Sequence, residues 1–170
     1  TGKGAYFLAD THVQADPDAE QIAEMTMLAA SHIARFGITP KIALLSHSDF
    51  GAYDTPSSLK MRRAVAIVRS RAPHLEIDGE MEGDTALIEA IREKTLPDST
   101  LTGVANLLMM PNLDAANIAY QFVKVLADAL PVGPNLIGTA KPAHVLTGNV
   151  TARGVVNMTA IAVAEAQGAS

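Results

Sequence analysis

Short apolar runs at residues 5–9, 41–46, 75–77, 105–110 and 132–137 alternate with longer stretches of helical periodicity, and this alternation constrains the fold more than any other feature. A parallel sheet requires such a pattern, because each strand must be carried back to the edge where the previous one began, and a helix is the usual crossover. The expected fold class is therefore α/β, a three-layer α/β/α arrangement around a mostly parallel sheet. The run at 75–77 is the weakest of the five. Caps and prolines mark the helices between them. Asp16-Pro17 offers an N-cap followed by proline at the first helical position, Gly37 a stop, and Ile22, Met25, Ala29 and Ile33 share one face. Thr55-Pro56 opens a second helix, striped by Met61, Val65, Val68 and Ala72. Asp84 is placed to cap a helix over 84–94, and Asp114 one over 115–128, on which Ile118, Phe122 and Val125 align.

A final helix from Thr151 to about Gln167 is apolar on most of its circumference, so more than one neighbour must cover it. Left uncovered, it predicts self-association, with a dimer as the minimum. The 170 residues suffice for one domain with a buried core, and at 48% apolar and 18% charged the chain is not disordered. Only 4% are aromatic, so the core should be aliphatic, with Met109-Met110 filling part of it. A net charge of -5, with the basic residues dispersed except around Arg62-Arg63 and Arg69-Arg71, gives no footprint for nucleic acid. Cysteine is absent, which excludes disulfides and thiolate metal sites and is compatible with a cytoplasmic location. No apolar run approaches the roughly 18–20 residues of a membrane span, and Thr1-Gly2-Lys3-Gly4 does not open a signal peptide, so a soluble chain is expected.

Three strand-to-helix junctions carry candidate chemistry. The loop Ser46-His47-Ser48-Asp49-Phe50-Gly51 stands where open α/β sheets place their ligands, and its hydroxyls and amides are suited to phosphate. The competing reading is a plain polar connection, since Asp49 and Asp54 repel an anion. Ser46, His47 and Asp49 do not form a catalytic triad on this reading, because adjacent residues in an extended loop point apart. At the second junction Asn112 and Asn117 face a possible cleft, and at the third Lys141 and Thr147 offer an ammonium and a hydroxyl. Glu76, Asp78, Glu80, Glu82 and Asp84 recur at every second residue, which suits either a hard cation such as magnesium or a solvated strand end. None of the histidines has zinc-motif spacing, and each reads as a loop or surface residue.

The segment Lys141-Pro142-Ala143-His144-Val145-Leu146-Thr147-Gly148-Asn149, together with residues 105–120, resembles the phosphotransacetylase family, which moves an acetyl group between coenzyme A and phosphate. In that family a Ser-Arg pair stands where this chain has Thr147-Gly148, and an Asp stands at the position of Gly154. The wording of Leu45-Ser46-His47-Ser48-Asp49-Phe50-Gly51, Asp78-Gly79-Glu80-Met81 and Met110-Pro111-Asn112-Leu113-Asp114-Ala115-Ala116-Asn117-Ile118-Ala119-Tyr120 is closer still to the C-terminal phosphotransacetylase-like domain of large bacterial NADP-dependent malic enzymes. The resemblance implies only the later half of a phosphotransacetylase module: residues 1–150 as the core α/β subdomain, and residues 151–170 as a helix that belongs to the missing subdomain or packs on a partner. It also implies a parent enzyme that converts malate to pyruvate and CO2 with NADP and a divalent metal in an N-terminal domain of the same chain, since no GxGxxG fingerprint occurs here. This domain would then oligomerise and sense acetyl-CoA through Ser46, Ser48, Gly51, Asn112, Asn117, Lys141 and Thr147, with no catalytic residue of its own. The alternative is an active phosphate acetyltransferase.

Overall fold

The computed structural model describes residues 4–127, 129–146, 148 and 150–168. Four strands form one parallel sheet in the order β1-β4-β2-β3, with β1 Phe7–Ala9, β2 Lys41–Leu45, β3 Glu76–Met81 and β4 Leu107–Met109. Helices α1 (Ala19–Ala34) and α2 (Pro56–Arg71) cover one face, where Ile22, Ile33, Met61 and Val68 meet Ile42, Leu44, Ile77, Leu107 and Met109. The other face carries α3 (Gly83–Leu87) and α5 (Leu113–Leu126), whose Ala86 and Ala116 meet Ala43, Leu45, Leu108 and Met110. Consecutive residues of β2 and β4 thus feed opposite cores, as the period of a strand buried on both sides requires. The fold is α/β in three layers. Both cores are aliphatic, and Met109 and Met110 fill opposite ones.

Several boundaries differ from those read in the sequence. The first helix is capped by Asp18, not Asp16: the Asp18 carboxylate accepts from the Gln21 amide while the Gln21 side chain accepts from the Asp18 amide, a reciprocal capping box. Asp16 instead pairs with Lys60 at 2.6 Å. Thr55 caps α2 as expected. The helix expected over 84–94 is broken at an extended Ile88 into α3 and α4 (Glu89–Thr95), and Asp84 does not cap it. The break turns Arg92 inward, where its buried guanidinium donates to the carbonyls of Thr85, Ala86, Leu101 and Gly103 and fixes the loop leading to β4. Residues 132–137 form no strand, because Pro131, Gly133 and Pro134 interrupt the amide ladder a strand needs.

On α5 the expected stripe is inverted. Ala115, Ala116 and Ala119 lie on the sheet, where small side chains allow close approach, while Ile118, Phe122 and Val125 face outward. The helix α6 (Ala152–Gly168) buries only Met158 among its described residues. Thr151 Oγ1 accepts from the Gly154 amide and caps it. Among the described residues no helix is long and apolar enough to cross a membrane.

Candidate functional site at the strand ends

Parallel strands deliver their C-terminal ends to one rim, and two of the three candidate loops lie there, after the adjacent strands β2 and β4. The loop after β2 is bound to β3 along its length. Ser46 N–H donates to the Met81 carbonyl at 2.9 Å, and Phe50 N–H donates to the Glu80 carbonyl at 2.8 Å. Glu80 is the extra residue of a bulge, since Leu44 pairs with Gly79 and Leu45 with Met81. Gly79 is required at that bulge: its φ is +139°, and a Cβ there would stand 2.6 Å from the Leu44 carbonyl oxygen.

The bulge aims the fully buried Glu80 carboxylate into the loop. Its Oε1 accepts from Ser48 Oγ at 3.0 Å and Gly51 N–H at 2.8 Å, and Arg62 of α2 grips both oxygens. Ser48 and Gly51, expected to hold a ligand anion, therefore hold the chain's own anion. Burial pushes the Glu80 carboxyl up, but the Arg62 guanidinium, the Gly51 amide and the Ser48 hydroxyl together outweigh it and keep the group below its ordinary value. Arg62 is raised in turn, first by its hydrogen bond to Glu80 and then by its hydrogen bond to Asp54. Asp78 is buried alongside and accepts from Arg69, Ser99 and the Thr100 amide. The alternating carboxylates at 78 and 80 are neither a solvated strand end nor a metal cluster. Paired with arginines, they seal the exposed edge of the sheet. The spacing signal was present, since two arginines seven residues apart on α2 face two carboxylates two apart on β3.

Ser46 is different. Its Oγ is buried and has no partner among the described residues. His47 stacks on Tyr53, and Asp49 accepts from the Glu82 amide and the Thr85 hydroxyl, so no triad forms.

At the end of β4, Asn112 caps α5 by accepting from the Ala115 amide at 2.9 Å, the role expected of Asp114. Asn117 donates to the Thr11 carbonyl and lines a cleft of about 340 Å³ with Thr11, His12, Leu113, Asp114 and Ile118. Gly51 lines a separate cleft of about 310 Å³ beside Arg62, Arg69 and Thr100, at the β3 edge.

Lys141 is exposed and its ammonium has no partner among the described residues. Three residues later, His144 is held at the C-terminal end of α1, which is the opposite end of the sheet from Ser46 and Asn112. The described parts of the three segments are thus not brought into one cleft. Thr147 lies outside the described residues. Gly148 is exposed, with nothing within 4 Å of where a Cβ would stand. Among the described residues no group of three acidic, histidine or cysteine side chains is arranged to hold a metal.

Residues 1–163 match the phosphate acetyl/butaryl transferase family. The chain belongs to that family. It is 57% identical over 96% of its length to the NAD-dependent malic enzyme of Rhizobium meliloti (strain 1021), and 56% identical over 96% to the NADP-dependent malic enzyme of Escherichia coli (strain K12). It covers 21% and 22% of those two proteins. The phosphate acetyltransferase of Paracoccus denitrificans is 41% identical over 94% of this chain, which spans 50% of that protein. Among solved structures, a phosphotransacetylase from Streptococcus pyogenes superposes with a TM-score of 0.94 at 32% identity, covering 98% of this chain and 51% of its own. The phosphate acetyl/butaryl transferase fold inferred from three loop motifs is therefore the fold present.

Proposed function

We propose that this chain is the regulatory and oligomerising phosphotransacetylase-like domain of a malic enzyme, sensing acetyl-CoA while another part of the polypeptide converts malate to pyruvate and CO2. Nicotinamide cofactor and divalent metal belong to that other part. The observation that carries the reading is the pairing of 56–57% identity to malic enzymes with a turn that holds Gly148 where the family resemblance places an arginine. Charge developing on phosphate and carbonyl oxygens needs preorganised donors, and losing one costs about 10²–10³ in rate. Among the described residues nothing lies within 4 Å of where a Cβ at Gly148 would stand. NAD- and NADP-dependent relatives are both similar to this chain, so it does not select between the two coenzymes.

On this reading acetyl-CoA meets the Ser46 loop and Asn117 at the rim, whereas Lys141, whose segment is held at the opposite end of the sheet, is not part of that contact and Thr147 lies outside the described residues. Ser48, Gly51 and Asn112 act indirectly, by holding the loops in shape. Oligomerisation uses the outward stripe of Ile118, Phe122 and Val125 on α5, continued by the 72–82% exposed Val125 and Leu126. Effector binding couples to malate oxidation through unequal affinity for two arrangements, typically about 1–3 kcal/mol, or roughly 5–150-fold in apparent affinity.

The full-length polypeptide decides the matter in two assays. Acetyl-CoA should lower malate oxidation while acetyl-CoA plus phosphate gives no turnover. Acetyl phosphate formed at about 1–10³ per second, the range ordinary for enzymes, would establish an active acetyltransferase instead. The similarity to the Paracoccus denitrificans acetyltransferase favours that second reading.

A further inference from the structure

The last helix is joined to the rest of the fold through one carboxylate. Glu165 of α6 lies with Oε1 3.0 Å from His32 Nδ1 on α1 and Oε2 3.1 Å from His144 Nε2 on the segment that precedes α6. All three side chains are at most about one-tenth exposed, so neither histidine is a surface residue, although His144 lies on a loop as expected. We propose that His32, Glu165 and His144 form an acid-releasable clasp that holds α6 and residues 136–146 against the end of α1. The two attachments share one carboxylate, with one oxygen serving each histidine.

The hydrogen bonds assign one tautomer to each ring. His144 Nδ1 accepts from the Leu136 amide at 3.2 Å, so its one proton sits on Nε2 and is donated to Glu165. A second proton on Nδ1 would confront the Leu136 N–H, donor against donor. His32 donates from Nδ1, while its Nε2 is buried and has no partner among the described residues, beside the edge of Phe36 at a ring-centroid distance of 5.1 Å. A proton there would have no acceptor. The titratable and charged groups facing His32 are Glu165 from α6, Arg35 from its own helix and His144 from the preceding segment. Burial lowers the His32 pKa, the Glu165 carboxylate partly opposes this, and Arg35 and His144 add to the lowering.

The sign follows directly. A released His32 titrates near its ordinary 6.5, whereas the docked one binds its proton only at lower pH, so release takes up protons. Docking is complete above 6.5 and weakens as pH falls below it. Each proton taken up changes the equilibrium by up to about tenfold per pH unit. Little else retains the helix, since Met158 is its one buried residue among those described.

The test is hydrogen exchange by mass spectrometry on the full-length polypeptide at pH 7.5, 6.5 and 5.5, corrected for intrinsic exchange rates. Peptides from 136–146 and 155–168 should lose protection together below pH 6.5, by up to about tenfold per unit, while peptides from α2 keep theirs. The double variant His32→Asn, His144→Gln places amide donors where the two ring nitrogens stood and should make both segments insensitive to pH. Flat protection of the wild type, loss confined to one segment, an equal loss in α2, or an unchanged pH dependence in the double variant would each overturn the clasp. If the double variant does not fold, ¹³C-labelled imidazoles in the wild-type polypeptide decide. His32 should be mostly neutral at pH 6.5, and a half-charged His32 ring there rejects the proposal.

Discussion

Glu80 and Glu165 are both buried carboxylates that join segments far apart in the chain, yet they are held by different chemistry. Glu80 is gripped by a guanidinium, a hydroxyl and an amide on a strand of the sheet. Glu165, on a helix that buries little else, is held by two imidazoles. An arginine keeps its charge at every accessible pH, whereas a histidine changes state near neutrality. One knot is therefore permanent, the other conditional. The chain places the permanent one where the sheet edge must not open, and the conditional one where a mostly exposed helix is attached.

The largest effect expected is from Gly79→Ala, which would weaken the permanent knot at its root. A Cβ at φ +139° and 2.6 Å from the Leu44 carbonyl cannot be relieved by a rotamer change. Strain plus overpacking predicts a loss of about 2–6 kcal/mol, measured as the fall in the urea midpoint. Glu80→Ala should follow, at about 1–3 kcal/mol, because it takes the carboxylate acceptor from the buried Ser48 hydroxyl and from the exposed Gly51 amide. Acidification should separate the two knots in order. The Glu80 contribution is complete above the ordinary carboxylate value of 4.5 and is lost only as pH falls through its lowered value, so β3 amides should stay protected at pH 5.5. Loss of β3 protection at pH 5.5 would erase the contrast. The smallest effect on folding is expected from Phe122→Glu on α5, whose side chain is 62% exposed. Its stability should change by less than about 0.5 kcal/mol. Sedimentation of the full-length polypeptide should nonetheless show a smaller assembly, and an unchanged one would remove α5 from the interface.

The layered α/β fold was legible because apolar runs alternate with helical periodicity, and four of the five runs are strands. The run at 132–137 misled because hydropathy alone hides the missing amide of Pro134. Caps were read one or two residues off, as with Asp16 for Asp18 and Asp114 for Asn112, because neighbouring residues of equal capping ability compete and tertiary packing chooses between them. The site was less legible. Ser48 and Gly51 were singled out for a ligand, and nothing local reveals that they hold Glu80, 29 residues beyond Gly51. His32, His144 and Glu165 are separated by 112 and 21 residues, so no spacing rule links them.

Gly148 and Gly154 differ in a way that bears on how the chain could change. Around Gly148 a Cβ would meet nothing within 4 Å among the described residues. At Gly154 a Cβ would lie 2.9 Å from Val150 Cγ2, a branched side chain with little rotamer freedom. Restoring the family's carboxylate at 154 therefore requires Val150 to give way first, while a Cβ at 148 needs no such preparation. On the proposed reading, the step at 154 waits on Val150, like a ratchet whose pawl is a single valine.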